Sequence, residues 1–172
     1  MINYSHQIIF RLPEKKDARS VMKLIEDLPP LDVNSLYCYL LICTRFAQTS
    51  VIADHGHEPC GFISAYIHPE RKDTIFVWQI IVKNNVRGQG IASAMPNAIL
   101  HRAYPVPLRY LETTVNPSNK SSNALFSALS KSLNAHLLKS LLFSENDFGG
   151  EKHEKEIPYR TEPFSVLTKE GI

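Results

Sequence analysis

What this 172-residue sequence lacks excludes several classes of protein. Basic and acidic residues nearly balance, with 19 Lys and Arg against 17 Asp and Glu, so there is no charge excess of the kind that drives binding to nucleic acid or to a membrane surface. The longest apolar runs are too short to cross a bilayer, and no basic and apolar N-terminal signal is visible. We therefore expect a cytoplasmic protein with no nucleic-acid partner and no membrane partner.

The cysteines and histidines do not have the spacings of a disulfide framework or a metal site. The three cysteines, Cys38, Cys43 and Cys60, form no C-x-x-C pair and are odd in number, so we expect reduced thiols. His55 and His57 lie in a turn rich in glycine and proline, and no third ligand is near them in the sequence. The sequence therefore predicts no metal cofactor.

The apolar pattern of the chain predicts a mixed α/β fold. Hydrophobic residues make up 44% of the sequence, and we expect one domain over residues 1–172. Apolar and β-branched runs predict strands at residues 8–12, 50–53, 60–67, 74–82, 109–115 and 157–161, with a turn at 54–59. Helical periodicity predicts helices at residues 14–28 and 91–102, and one or two short, largely covered helices within 31–46. A last helix follows Asn119, which we expect to cap it. This order favours a mixed central sheet flanked by helices.

The strand predicted at residues 74–82 leads into a glycine turn and then a helix. The turn consists of Arg87, Gly88, Gln89, Gly90, Ile91 and Ala92. Glycine lets the backbone approach a ligand with no Cβ in the way, and successive N–H groups at the start of a helix bind anions. The pattern indicates a phosphate-binding turn. The alternative is a surface turn that happens to carry two glycines and a basic residue.

The succession of a strand, the pattern Arg-x-x-Gly-x-Ala and a helix resembles the pyrophosphate-binding motif of the Gcn5-related N-acetyltransferase (GNAT) superfamily. Four further segments are similar to the L-2,4-diaminobutyrate acetyltransferases of ectoine biosynthesis, at residues 31–46, 76–79, 109–119 and 149–154. The resemblance covers nearly the whole chain. It implies the GNAT acyl-CoA N-acyltransferase fold, with a splayed sheet around acetyl-CoA. It also implies acetyl transfer to the γ-amino group of L-2,4-diaminobutyrate, and a homodimer.

The resemblance also implies which residues bind the coenzyme. Backbone N–H groups of the glycine turn would hold the pyrophosphate, and the strand edge at Ile80, Ile81 and Val82 would pair with the amides of the pantetheine arm. Asn119 resembles the superfamily asparagine that contacts the cofactor. Its alternative role is a plain helix cap, and the two roles are compatible.

A diamine substrate with one carboxylate calls for acidic, aromatic and hydroxyl groups in its pocket. The candidates inside the family-like segments are Asp32, Tyr37, Tyr39, Trp78, Glu112, Thr113, His153 and Glu154, together with the nearby Glu156. The face of Trp78 would pack against the alkyl chain or an ammonium, and His153 would orient a carboxylate or relay a proton.

These candidates have structural alternatives. Trp78 could be a core residue, and Asp32 could be the N-cap of a helix that starts near Val33. Tyr37 and Tyr39 lie two apart, so a helix would place them on different faces and one of them at most would reach the substrate. The acidic run that holds Glu154 and Glu156 could be a solvated loop.

The proton transfers are the open part of the predicted chemistry. Many GNAT enzymes carry a glutamate on the strand that here holds Trp78-Gln79, so the base must come from elsewhere, and we favour Glu112 or Glu156. With Trp78, these two form the predicted catalytic set. The tyrosine that often protonates the leaving thiolate in this superfamily is replaced by Phe126, so Tyr159, water or an unassisted thiolate must serve.

Two other functions fit part of the pattern. An acetyltransferase for polyamines, ornithine or lysine would share the coenzyme half and differ in pocket length. A non-catalytic relative that binds acyl-CoA as a sensor would keep the turn without acetylating any amine.

Overall fold

The computed structural model describes residues 7–28, 32–140, 147 and 156–165. The strands are β1 Ile8–Arg11, β2 Val51–His55, β3 Glu58–Ile67, β4 Thr74–Val82, β5 Tyr110–Val115, β6 Leu137–Lys139 and β7 Ile157–Thr161. The α-helices are α1 Ala18–Glu26, α2 Leu36–Arg45, α3 Ile91–Leu100 and α4 Lys120–Ser132, and short 3-10 helices lie at Lys15–Asp17, Ala47–Thr49 and Asn84–Val86. None of the helices in these described ranges is long and apolar enough to cross a membrane.

The strands form a seven-stranded sheet in the order β1-β2-β3-β4-β5-β7-β6. β4 and β5 are parallel, whereas β1–β2, β2–β3, β5–β7 and β6–β7 are antiparallel. The predicted mixed α/β sheet is therefore confirmed. By its internal contacts the chain divides into two units, residues 1–66 with 79–100, and residues 67–78 with 101–172. We call them unit 1 and unit 2.

The core of unit 1 forms where α1 and α2 pack onto the sheet. The apolar positions of α1 recur at helical spacing, and Val21 and Ile25 are fully buried. They join a cluster with Tyr39 of α2 and Phe62 of β3. Each fully buried side chain of this size contributes about 1.5–3 kcal/mol from the apolar surface it removes from water.

The hairpin between β2 and β3 is tighter than the sequence suggested. The predicted turn at residues 54–59 is wrong in length, because β2 continues to His55 and β3 begins at Glu58. Gly56 and His57 form the turn with φ of +60° and +70°. Positive φ at both central residues is the geometry that matches the twist of two antiparallel strands.

A charged cluster connects β1, the start of α1 and β2 in unit 1. Arg11 donates from Nε to Asp54 at 2.5 Å, and from both terminal nitrogens to Asp17 at 2.7 and 3.0 Å. Asp17 also accepts from the backbone N–H of Glu14. Burial acts to raise the pKa of Asp17, but the hydrogen bonds from Arg11 and Glu14 outweigh it and the pKa is lowered. The aspartate therefore stays charged.

Helix α3 follows the glycine turn and packs within unit 1 through Ile91, Met95 and Ile99, which are all buried. The predicted helix is confirmed, and it continues through Pro96. Gly61 of β3 permits the close approach of α3. A Cβ at Gly61 would lie 3.4 Å from Ile91 Cγ2, and 3.3 Å from both Ala53 Cβ and the carbonyl oxygen of Ile81.

Unit 2 has one covered and one accessible sheet face. Burial alternates along β5, where Leu111, Thr113 and Val115 are buried while the residues between them are less covered. A strand points successive side chains to opposite faces, which explains the alternation. Helix α4 begins at the Asn119 cap, as predicted, and its Phe126 and Leu129 are buried.

The second half of the chain contains one strand that the sequence predicted and one that it did not. β7 has the predicted bounds, Ile157–Thr161, whereas β6 at Leu137–Lys139 was not predicted. β6 has only three residues, and its pattern of one half-buried and two exposed side chains is too short to produce a periodic signal. The family-like segment at residues 149–154 lies outside the described residues.

Candidate active site

The glycine turn leads into the N-terminus of α3 in unit 1. Gly88 and Gly90 have φ of +80° and +76°, a backbone conformation that L side chains rarely adopt. A Cβ built on either glycine would meet no atom within 4 Å. The glycines are therefore needed for backbone conformation, and the space beside them is open to a ligand.

A cavity of about 240 Å³ lies against this turn. It is lined by Val82, Val86, Arg87, Gly88, Gly90, Ile91 and Ala92. Arg87 is exposed and donates from Nε to the carbonyl oxygen of Val82 at 3.0 Å, which fixes the guanidinium beside the turn. The first N–H groups of a helix have no intrahelical acceptor, so those at the start of α3 add to the positive potential. This donor set fits a pyrophosphate.

The second half of β4 carries the predicted pantetheine edge. The register between β4 and β5 ends at the pair Val77 and Thr113. Ile80, Ile81 and Val82 lie beyond that last pair; Ile80 is half-buried and the other two are buried. Their position is compatible with the predicted backbone pairing, which stays a prediction.

Two predicted tyrosines on α2 have opposite environments. The Tyr37 side chain is 69% exposed, whereas Tyr39 is fully buried and its hydroxyl oxygen accepts from the backbone N–H of Asn34 at 3.0 Å. The expectation that they do not share a helix face is confirmed. Tyr37 is the one with surface available for a ligand.

Asp32 lies in the segment that precedes α2 and is exposed. It is not the N-cap, because α2 starts at Leu36 and Ser35 caps it by accepting from the N–H of Cys38 at 3.3 Å. The alternative structural role for Asp32 is therefore wrong. Its backbone carbonyl accepts a hydrogen bond of 3.0 Å from Gln79 Nε2.

Gln79 is a polar residue that sequence reasoning did not single out. Its side chain is buried at 7% exposure, and its Oε1 is a buried acceptor with no partner among the described residues. Its backbone N–H donates to Ser64 Oγ at 3.2 Å. The sequence carries one signal for a role of Gln79, which is that a polar residue interrupts an otherwise apolar strand. Its hydrogen-bond partner could not be inferred, because the carbonyl of Asp32 lies 47 residues away in sequence.

The accessible face of unit 2 brings several predicted residues together. Trp78 is 46% exposed, so the core alternative for it is wrong. The register pairs Phe76 with Glu112 and Glu112 with Arg160, which puts these side chains on one face, and Trp78 follows Phe76 by two residues on the same face. Glu156 is a half-buried bridge residue four positions before Arg160, so the same alternation places it on this face.

Glu112 is held by two arginines. Arg71 donates from Nη2 to both carboxylate oxygens at 2.9 and 2.7 Å, and Arg160 donates from Nη1 to Oε1. The guanidinium of Arg160 also lies over the ring of Tyr110, 4.1 Å from its centroid. The stacking and the ion pair together fix the plane of this guanidinium.

Of the other predicted residues, one lies on the opposite face of the sheet and two lie outside the residues that the structure describes. Thr113 is on the covered face of β5 and 2% exposed, and its hydroxyl donates to the carbonyl oxygen of Thr114 at 3.3 Å. The structure therefore does not bring it together with Glu112. His153 and Glu154 lie outside the described residues.

Asn119 has the capping role that was the alternative to coenzyme contact. Its Oδ1 accepts from the N–H of Ser122 at 3.0 Å. Phe126, which replaces the superfamily tyrosine, is buried. Tyr159 is buried too, and its hydroxyl donates to Asn123 Oδ1.

The cysteines do not have the properties of acyl-carrying nucleophiles. All three are free thiols. Burial raises the pKa of each thiol, and for Cys43 to about 11. Since the thiolate is the nucleophile, these side chains are inert near neutral pH. In the described part of the chain, no group of three His, Cys, Asp or Glu side chains is arranged to hold a metal ion.

Comparison with known proteins gives matches that span most of the chain. The model of the acetyltransferase (GNAT) family matches residues 18–129. A protein of Marinococcus halophilus named L-2,4-diaminobutyric acid acetyltransferase is 39% identical over 158 residues, which cover 92% of this chain and 91% of the relative. A protein of the same name from Bordetella parapertussis is 40% identical over 156 residues, with coverage of 90% and 84%.

One solved structure is similar along nearly its whole length. It is the diaminobutyrate acetyltransferase of Paenibacillus lautus, in complex with its substrate L-2,4-diaminobutyric acid and coenzyme A. It is 36% identical to this chain, superposes with a TM-score of 0.89, and the alignment covers 94% of this chain and 98% of that one.

Proposed function

Because this chain belongs to the GNAT acetyltransferases and, within them, to the L-2,4-diaminobutyric acid acetyltransferases, we propose that it transfers acetyl from acetyl-CoA to the γ-amino group of L-2,4-diaminobutyrate. The product is N4-acetyl-L-2,4-diaminobutyrate, an intermediate of ectoine biosynthesis. The predicted family, GNAT fold class and acyltransferase activity are confirmed by the matches. The observation that carries the substrate is the near full-length similarity to an enzyme whose solved structure is a complex with this diamine and coenzyme A.

The glycine turn of unit 1 fits the pyrophosphate of the coenzyme. The open space at Gly88 and Gly90, the helix start at Ile91 and the fixed guanidinium of Arg87 form one donor surface. Acetyl-CoA supplies an acetyl thioester, which is reactive towards a neutral amine. The chain's own task is to hold the coenzyme and to take a proton from the amine.

We assign the proton transfer to Glu156. An aliphatic ammonium has a pKa near 10.4, so only about one molecule in two thousand is the free amine at neutral pH, and a base is needed. Glu112 is already engaged by two guanidiniums, those of Arg71 and Arg160, which is the environment of a binding group. Glu156 lies on the same accessible face without taking part in that cluster, which supports it over Glu112.

The other pocket residues keep the roles that the resemblance implies. Exposure supports Trp78 and Tyr37 as contacts to the alkyl chain and ammonium groups of the substrate. The Gln79 hydrogen bond supports a defined position for the Asp32 segment. Thr113, His153, Glu154 and the coenzyme contact of Asn119 stay predictions.

The thiolate that leaves after acetyl transfer has no tyrosine on α4 to protonate it. Phe126 has no exchangeable proton, and the Tyr159 hydroxyl is committed to Asn123. We propose that coenzyme A leaves as the thiolate or takes its proton from water. A thiol pKa near 8.5 makes either route chemically reasonable.

We propose that the enzyme works as a cytoplasmic homodimer, with residues 1–172 acting as one N-acetyltransferase domain. Val33 and Phe46 are large apolar residues beside α2 that are 47% and 45% exposed. Such a surface supports a contact with a second copy. Light scattering on the purified protein tests this: a mass of one chain at micromolar concentration rejects the dimer.

Steady-state kinetics with a panel of amines tests the function. We expect the highest kcat/KM for L-2,4-diaminobutyrate, and lower values for ornithine, lysine and a polyamine. A higher kcat/KM for a longer diamine would favour the alternative of another small-amine acetyltransferase. Tight acetyl-CoA binding without turnover of any amine would favour the sensor alternative.

A further inference from the structure

Both ends of the glycine turn are attached to the same two residues of β3 in unit 1. At the start of the turn, the backbone N–H of Lys83 donates to the carbonyl oxygen of Cys60 at 2.8 Å. At its end, Ile91, the first residue of α3, lies beside Gly61, where its Cγ2 would be 3.4 Å from an added Cβ. The two attachments therefore bracket the short 3-10 helix and both glycines of the turn.

The two anchoring residues lie at a bulge in β3. The register pairs Ala53 with Gly61, and the next residue of β2, Asp54, with Pro59. In this pairing of the two described strands, Cys60 has no partner on β2. A bulge bends its strand and changes the direction of the groups around it. The bulge coincides here with the residue whose carbonyl oxygen holds the end of β4.

Gly61 is required for space and not for backbone conformation. Unlike the glycines of the turn, it does not have a positive φ. It is buried, and an added Cβ would meet Ile91, Ala53 and the carbonyl oxygen of Ile81 at 3.3–3.4 Å. A backbone carbonyl cannot rotate away as the end of a side chain can, so the end of β4 or the start of α3 would have to shift by a few tenths of an ångström.

We propose that Gly61 is a positioning residue for the coenzyme. Its missing side chain sets how closely the start of α3 approaches the end of β4, and this distance sets the spacing of the N–H groups that face the pyrophosphate. The proposal rests on the proposed function and adds a residue outside the cavity lining. Ile91 transmits the effect, because it lies against Gly61 and also lines the cavity. Donors bind an anion well only when they are held in place beforehand.

The test adds bulk at residue 61 in two steps, G61A and G61V. Calorimetry gives the affinity for coenzyme A, and steady-state kinetics gives kcat and the KM of each substrate. A65V is the matched control: Ala65 is buried on the same face of β3, about 13 Å from Gly61 at a rise of about 3.3 Å per residue. It overpacks the same strand away from the turn. Circular dichroism melting shows whether each variant is folded.

We expect G61A to weaken coenzyme A binding by about 3- to 10-fold, below the roughly 100-fold that a 1 Å misplacement costs, and G61V to weaken it further. KM for acetyl-CoA should rise in parallel, whereas kcat and KM for L-2,4-diaminobutyrate should stay within about twofold of wild type. A65V should leave the affinity for coenzyme A within about twofold, even where overpacking lowers its melting temperature.

A second substitution tests the contact with α3 directly. I91L keeps the size of the side chain but removes its branch at Cβ, and with it the Cγ2 methyl that lies nearest to Gly61. The loss of affinity caused by G61A should therefore be smaller in the I91L background than in wild type. An equal loss in both backgrounds overturns the proposal, because the effect of residue 61 would then not pass through Ile91.

Unchanged coenzyme A affinity in folded G61A and G61V also overturns the proposal. So does a rise in KM for the diamine as large as the loss of coenzyme affinity, because this indicates general damage to the fold. If G61V does not fold, G61A decides. A wild-type protein that does not bind coenzyme A rejects the proposed function itself. If wild type binds coenzyme A but acetylates no amine, the proposed activity fails, while the coenzyme affinities of the variants still decide this inference.

Discussion

Gln79 donates a hydrogen bond of 3.0 Å from Nε2 to the backbone carbonyl of Asp32, and this bond connects strand β4 to the segment before helix α2. The backbone of Gln79 is itself held by Ser64, and its side chain is buried. The backbone of Asp32, a predicted substrate residue, is thus held by Gln79, which follows Trp78 on the strand. Many related enzymes carry a glutamate on this strand, but residues 74–82 of this chain contain no acidic residue, so we propose that the base comes from elsewhere.

We expect Gln79→Leu to impair substrate binding and leave coenzyme binding intact. The leucine is similar in size but cannot donate to the Asp32 carbonyl, so the segment before α2 loses its anchor. KM for L-2,4-diaminobutyrate should rise by about 10-fold, consistent with the loss of a hydrogen bond worth roughly 1–1.5 kcal/mol. An unchanged KM would contradict a positioning role, and a parallel loss of coenzyme A affinity would indicate general misfolding.

Substitutions at Gly90 separate backbone conformation from charge in the phosphate turn. Gly90→Ala meets no neighbouring atom, so its cost is the positive φ, about 1–2 kcal/mol for an L residue. Gly90→Glu adds a negative charge beside the pyrophosphate and should abolish measurable coenzyme A binding. Calorimetry on both variants checks this. Equal affinities for alanine and glutamate variants would mean that no anion binds at this turn.

Replacing the two candidate bases should have different kinetic effects. Glu156→Gln removes the proposed proton acceptor, so kcat should fall by about 100- to 10,000-fold and the rise of kcat/KM with pH should change. Glu112→Gln removes the ionic partner of two arginines, and we expect mainly a higher KM. If Glu112→Gln caused the larger fall in kcat, the two roles would have to be exchanged.

Cys43 should make the folded state less stable at alkaline pH. Burial raises the pKa of its thiol to about 11, well above the value near 8.5 of an unfolded chain. Its stabilising contribution is therefore complete below about pH 8.5 and is lost as the pH rises toward 11. Urea unfolding at pH 8 and pH 10.5 should show wild type losing about 2 kcal/mol more than Cys43→Ala. Equal losses would mean that this thiol titrates normally in the folded protein.

The sequence was sufficient where a physical rule acts locally. The period-3.6 stripe of α1, the β-branched and apolar run of β5 and the cap at Asn119 all depend on neighbouring residues, and each was predicted. The hairpin turn was too long in the prediction because Gly56 and His57 alone reverse the chain. β6 was missed because three residues paired with β7 carry no period of their own.

The candidate site was predictable as a set of residue types, but its pairings depend on the tertiary fold. The glycine turn and the acidic residues are visible in sequence. That Glu112 lies between Arg71 and Arg160 requires contacts across 41 and 48 residues. That Tyr37 is exposed while Tyr39 is buried follows from the packing of α2, although their different faces follow from helical spacing alone.

The position of the acetyl group on the product tests the account most directly. Purified enzyme, acetyl-CoA and L-2,4-diaminobutyrate are incubated, and the product is analysed by mass spectrometry and NMR. We predict a single monoacetylated product with the acetyl group on the γ-nitrogen, formed only when both substrates are present. Acetylation at the α-nitrogen, or no product that depends on acetyl-CoA, would contradict the proposed function.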